Sequence, residues 1–288
     1  MRFRLYVLIL AALLSLAGVP SAQAAPKADL WPFWLPHDPA SAETVDHAVW
    51  DRLLKTYVVA SPDGINRFAY NRVTSVDRRA LEDYLDRLSM VVPRKLNRDE
   101  QRAFWINLYN ALTVKVILDH YPVDSIKQIN ISPGLFSVGP WRRKLMTVDG
   151  EPVSLDDIEH RILRPIWKDP RIHYAVNCAA LGCPNLQPRA FTAGNGEFLL
   201  SQAAVEFVNH PRAVRFDGER LIVSSIYVWF NEDFGAGHER DVILHLAGYA
   251  ASALKERLFG ARYIFDHAYD WALNDLLEPV RNSAPTRF

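Results

Sequence analysis

Between Glu151 and Pro184 the chain places two histidines, His160 and His173, its only two cysteines, Cys178 and Cys183, and several carboxylates. Side chains of these types at that density are what thiol catalysis, a metal site or a short disulfide would each require. For thiol catalysis Cys178 is the candidate nucleophile. It follows a predicted strand at 172–176, and a turn there into Ala-Ala-Leu-Gly would offer backbone N–H donors to a thiolate and to an oxyanion. His160 lies on a predicted helix and His173 on the strand. Five residues apart on a strand, His173 and Cys178 would face opposite sides, which favours His160 as general base over His173. Asn107, Asn110 and Glu159 are the residues available to orient the imidazole. Asn110, Asn177 and Arg164 are candidate binding residues around them, and His238 or His245 is a rival base.

The structural alternative pairs Cys178 with Cys183. On an uninterrupted helix five residues rise about 7.5 Å, beyond comfortable disulfide reach. Gly182 and Pro184 interrupt a helix, so a curled loop could close the bond. A ring that small would contribute about 2 kcal/mol on a chain-entropy basis. The spacing H-x4-C-x4-C matches no common zinc pattern, so neither a metal nor another cofactor is expected. The thiol and disulfide readings both stand at this stage.

The compartment bears on that choice. Met1-Arg-Phe-Arg4, an apolar run from Leu5 to Val19 and Ala22-Gln-Ala24 form the three parts of a secretory signal, with cleavage expected after Ala24. The run is short for a bilayer span, and no other segment is long and apolar enough to insert stably. A periplasmic or secreted protein is therefore expected, in a compartment where an even cysteine count favours pairing. Removing Arg2 and Arg4 leaves 31 basic against 33 acidic residues. That balance gives no electrostatic footprint for nucleic acid. A small molecule, a peptide or an envelope component remains as partner.

The elements that must position these residues are mixed. Residues 25–42, rich in Pro and aromatics, read as an extended N-terminal strap, with the domain proper over 43–288. Helical spacing of apolar residues predicts helices over 43–59, 78–90 (capped by Asp77), 97–119 (capped by Asn97), 154–163, 197–209 and 240–259. Ser154 and Asp157 form a capping box. Asp149-Gly150 and Asp217-Gly218 predict two hairpins with type I′ turns. The 97–119 helix is apolar nearly all round, so Asn107 and Asn110 need buried partners, either neighbouring backbone or a catalytic imidazole. Trp50, Trp105, Trp229 and Trp271 sit in apolar-periodic segments and read as core rather than as a sugar platform. Glu232 and Asp233 are placed at a strand end, either as acid–base groups or as a helix cap. Residues 141–144 (WRRK) read as a solvated strand, and 269–271 (YDW) as a docked C-terminal segment. No βαβ rhythm is present, so the expected fold is α+β: a single globular domain of several helices packed with short antiparallel hairpins, with a papain- or transglutaminase-like arrangement as the variant to look for.

Five blocks carry a family resemblance: 104–112 (FWINLYNAL), 154–164 (SLDDIEHRILR), 172–184 (IHYAVNCAALGCP), 225–235 (SIYVWFNEDFG) and 269–274 (YDWALN). Together they resemble the DUF547 family, over roughly residues 45–277. The resemblance implies a family domain found in exported bacterial proteins and, in plants and animals, attached to other domains. It implies a location for the site and no reaction.

Overall fold

The computed structural model describes residues 26–134, 137–235 and 237–276. The expected signal segment lies outside the described residues. Within them the chain is α+β. Helix α1 (Ala48–Tyr57) leads into strand β1 (Val58–Ala60), which pairs antiparallel with β2 (Asn66–Phe68). Helices α2 (Ser75–Ser89) and α3 (Arg98–His120) follow, then the hairpin β3 (Met146–Val148) and β4 (Glu151–Val153). A π-helix (Asp157–Leu163) runs on into α4 (Arg164–Trp167), and α5 (Ile172–Ala175) precedes the cysteine loop. After α6 (Gly196–Val208), β5 (Val214–Asp217) pairs antiparallel with β6 (Arg220–Ser224). The chain closes with α7 (Ile226–Trp229), α8 (Asn231–Gly235), α9 (Glu239–Tyr249), α10 (Ser252–Gly260) and β7 (Asp266–Ala268), which lies parallel to β6.

Local signals hold where they are self-contained. The Asn97 side chain accepts from the Glu100 N–H at 3.0 Å, as a cap should. The Ser154 hydroxyl accepts from the Asp157 N–H at 3.1 Å, and Asp157 in turn accepts from the Ser154 N–H at 2.8 Å. Asp149 and Gly150 both take positive φ, 46° and 83°, as a type I′ turn needs. The second hairpin turns one residue later than expected. Asp217 pairs with Arg220, and only Gly218 has positive φ (57°), the pattern of a turn with glycine first.

Other expectations are corrected. The cap of α2 is Thr74, not Asp77; its hydroxyl accepts from the Asp77 N–H at 3.1 Å. The span 172–176 is not a strand. Asp169 accepts from the N–H of Arg171 through its side chain and from that of Ile172 through its carbonyl, starting the α5 turn after Pro170. The span 240–259 is two helices, broken between Tyr249 and Ala251. There Asn209 takes both groups the break exposes, donating to the Tyr249 carbonyl at 2.9 Å and accepting from the Ala251 N–H at 2.6 Å. Residues 141–144 form a turn, from which Lys144 pairs with Asp157. Glu232 and Asp233 lie on α8 rather than at the end of a strand.

Two apolar cores meet along α5. Trp50, Phe104, Trp105, Ile158 and Ile172 belong to the first; Tyr174, Phe207, Tyr227, Phe234 and Leu246 belong to the second. His173 sits between Ile172 and Tyr174, at the seam. Trp229 and Trp271, expected as core, are only half-buried and stack on each other at 5.9 Å.

The N-terminal strap is built into this structure. Arg164 donates its backbone N–H to the Glu159 carbonyl, the π register, which releases the carbonyl of His160. Pro165 has no N–H to give to Arg161. The strap fills both vacancies: Asp29 donates to the His160 carbonyl at 2.9 Å and Trp31 to the Arg161 carbonyl at 3.0 Å. Trp34 then inserts edge-on against Trp105, ring centroids 4.9 Å apart, and is 3% exposed.

Candidate functional site

The π-helix, α5 and α8 converge on a charged cluster. His173, on α5, donates Nε2–H to Asp233 Oδ2 at 2.7 Å. Arg164, at the end of the π-helix, donates Nε–H to the same oxygen at 2.5 Å. Its Nη1 donates to the Pro26 carbonyl at 2.8 Å and to His160 Nδ1 at 3.0 Å. Glu159 lies between the imidazoles, 3.7 Å from His173 Nδ1 and 3.9 Å from His160 Nδ1. Phe230 stacks on His173 at 4.5 Å and carries the Arg164 guanidinium on its ring at 4.6 Å.

These contacts fix charge states. Burial pushes the Asp233 carboxyl up, but the bonds from His173 and Arg164 outweigh it and hold the group at about 2. Burial lowers His160 to about 4 against the pull of Glu159, so the ring is neutral at pH 7. Asp156, 3.8 Å from His160 Nε2, is raised to about 7, chiefly by burial and then by the charge of Glu159. Shifts in both directions within one half-buried cluster are a common mark of a working site.

The two histidines differ in what they can do. Since His160 Nδ1 accepts from Arg164, its neutral ring carries the proton on Nε2. Neither nitrogen is then free to take another, so the geometry does not favour His160 as base. His173 has the opposite arrangement. Asp233 fixes the proton on Nε2 and leaves Nδ1 as the acceptor of the neutral ring.

The cysteines are joined as a Cys178–Cys183 disulfide with Cα atoms 6.3 Å apart, so Cys178 is not a free thiolate here. Tyr269, arriving with the C-terminal segment, places its hydroxyl 3.0 Å from Cys178 Sγ and 3.1 Å from Cys183 Sγ. Burial, and after it the charge of Glu159, pushes up both the Tyr269 and the Tyr109 hydroxyls. Among the described residues no hydrogen bond or ion pair joins an imidazole to Cys178.

The loop after Cys178 does not open into a helix, because α5 ends before it. Its N–H groups are already used: Ala179 on the Asn177 side chain, Leu181 on the Ala272 carbonyl, Gly182 on Asp270 and Cys183 on Ala180. The N–H groups of 179 and 181–183, expected there as oxyanion donors, are thus committed elsewhere. Asn107 also lies apart from the imidazoles. It donates to the Phe191 carbonyl at 2.7 Å and accepts from the Phe191 N–H at 3.0 Å. Asn110 holds α5 and the start of the cysteine loop, donating to the Ala175 carbonyl at 2.9 Å and accepting from the Asn177 N–H at 2.8 Å. Asn177 donates to the Pro184 carbonyl, also at 2.8 Å. His245 bonds the Tyr174 hydroxyl at 2.8 Å, and His238 precedes α9; among the described residues neither hydrogen-bonds Cys178.

The structure thus unites His160, His173, Glu159 and Arg164, and adds Asp156, Asp233 and Tyr269. Asp233 was visible as a candidate acid but not as the partner of His173. Among the described residues no group of three His, Cys, Asp or Glu side chains is placed to hold a metal, and no helix is long and apolar enough to cross a membrane.

Residues 93–208 match the family model described as "Protein of unknown function, DUF547". This stretch is similar to the DUF547 family. The match includes His160, Arg164, His173 and both cysteines, and ends before Asp233 and Tyr269. No curated protein and no solved structure matches the chain.

Proposed function

We propose that this DUF547 protein is a thiol-dependent hydrolase or transferase, with His173 as general base and Cys178, released from Cys183, as nucleophile. The observation that carries the reading is the His173 Nε2–H bond to Asp233. It orients the ring and reserves Nδ1 for a proton, as the third member of a catalytic triad does for its histidine. Glu159 lies 3.7 Å from that ring and the Tyr269 hydroxyl 3.0 Å from the sulfur, and a carbonyl carbon is the electrophile that suits the pair. The periplasmic or secreted placement belongs to the same proposal and rests on the pattern of residues 1–24.

A second reading, a non-enzymatic binding protein whose disulfide braces a recognition loop, is favoured by the committed N–H groups of residues 179 and 181–183. Turnover separates the two. Reduced protein is assayed on p-nitrophenyl esters and on peptide and thioester substrates. Catalysis is expected to fall about a thousandfold in His173→Ala and to vanish in Cys178→Ser. Turnover that Cys178→Ser leaves intact would remove the thiol from the mechanism, and no turnover on any substrate would favour the braced loop.

A further inference from the structure

The two sulfurs of the disulfide are not equivalent. Cys178 is half-buried, whereas Cys183 is 2% exposed. Cys183 Sγ accepts the backbone N–H of Cys178 at 3.0 Å, and the Tyr269 hydroxyl lies 3.1 Å away. Burial raises the pKa of that hydroxyl well above a tyrosine's usual value, so it stays protonated and available as a donor. Arg212 clamps the same loop, donating to the Leu181 carbonyl at 3.1 Å and to Asn185 Oδ1 at 2.6 Å, while its buried Nε has no hydrogen-bond partner. Cys178 therefore keeps some exposure to solvent, and Cys183 almost none. Cys183 sits where donors would stabilise a thiolate.

We propose that Cys178–Cys183 is an exchange-active disulfide, attacked by an incoming dithiol at Cys178 Sγ and opened with Cys183 as the leaving thiolate. This deepens the catalytic reading by naming what frees its nucleophile, and rests on that reading only for the consequence. In the first step a thiolate of the dithiol bonds to Cys178 Sγ. The Cys178–Cys183 bond breaks, and its electron pair stays on Cys183 Sγ, held by the Cys178 N–H and the Tyr269 O–H. In the second step the other sulfur of the dithiol, as thiolate, attacks its own partner in the mixed disulfide and releases Cys178. The dithiol is oxidised by two electrons, the protein disulfide is reduced by two, and two protons pass to the protein thiols. Cys178 then stands free beside the Tyr269 hydroxyl, while Cys183 is positioned to close the bond again.

The test uses native, non-reduced protein and reduced glutathione as a single-thiol probe that halts at the first step. Samples are acid-quenched, alkylated and mapped by peptide mass. Glutathione is expected on Cys178 with the alkyl group on Cys183. Tyr269→Phe is expected to slow formation of that species about tenfold, as loss of one hydrogen bond to a charged sulfur would. Glutathione on Cys183, or no reaction until denaturant is added, overturns the proposal. Single-cysteine variants guard against misfolding of the tyrosine variant. In native protein iodoacetamide should label Cys178 in Cys183→Ala much faster than Cys183 in Cys178→Ala, and equal rates would equally defeat the assignment. None of these readouts requires acyl turnover, so failure here is distinguishable from failure of the catalytic reading.

Discussion

At the scale of residues, the site sets burial against pairing. The Arg164 side chain is 3% exposed and that of Asp233 20%, so truncating the acid strands a buried guanidinium. Asp233→Ala is expected to cost about 3–5 kcal/mol in urea unfolding; a loss below 1 kcal/mol would mean that water replaces the carboxylate. With a folded value of about 2 against an ordinary 3.8, the Asp233 contribution is complete above the ordinary value and disappears as the pH falls through about 2. The histidines govern the window above. Burial lowers His47, His160 and His245 from 6.5 to about 4, so the folded state binds fewer protons than the unfolded chain between those limits. Their combined effect makes stability rise with pH from about 4 to 6.5. Asp156 opposes them. Raised from 3.8 to about 7, it keeps a proton that the unfolded chain has lost, and its contribution falls as the pH rises through that interval. Asp156→Asn should therefore steepen the rise in urea midpoint between pH 4.5 and 6.5, and an unchanged slope would contradict the assignment.

At the scale of elements, what the sequence discloses is what neighbours in the chain decide. The Asn97 cap, the Ser154–Asp157 box and the Asp149-Gly150 turn each close within a few residues, and each was legible. Ser154→Ala should accordingly cost about 1 kcal/mol, read from thermal unfolding. The π register was not legible, since it depends on N–H groups delivered by a strap some 130 residues earlier. The proximity of His160, His173, Glu159 and the cysteines could be anticipated, because they lie close in sequence. Asp233 could not be assigned its role, since its bond to His173 spans 60 residues and needs α8 to be helical. Gly182 shows the same dependence. A Cβ there would meet the backbone N and O of Asp270 at 2.8 and 2.9 Å, in the segment that carries Tyr269. Gly182→Ala is expected to displace that segment, cost about 1–3 kcal/mol and quicken reduction of the disulfide by dithiothreitol. A variant whose melting point and reduction rate both match the parent would show that the loop can move aside.

At the scale of the whole molecule, the site is a seam. Residues 93–208 supply much of the first apolar core, together with His160, Arg164, His173 and the cysteines. The second core draws its remaining partners, among them Leu221, Tyr227, Phe234 and Leu246, from beyond residue 208. Asp233 and Tyr269 arrive with that later part, so each half holds charged or apolar groups that only the other half satisfies. A fragment of 93–208 would bury Arg164 without its carboxylate and leave Tyr174 and Phe207 facing water. It would also lose α1, α2 and Trp34, which cover Trp105 and the rest of α3. The fragment is therefore expected to show no cooperative thermal transition and to bind a hydrophobic dye, whereas 26–276 melts in one step. Cooperative unfolding of the fragment would place the folding unit within the matched segment and reduce Asp233 and Tyr269 to later additions. Failure of the fragment, with one transition in the longer chain, would tie formation of the His173–Asp233 pair to closure of the two cores.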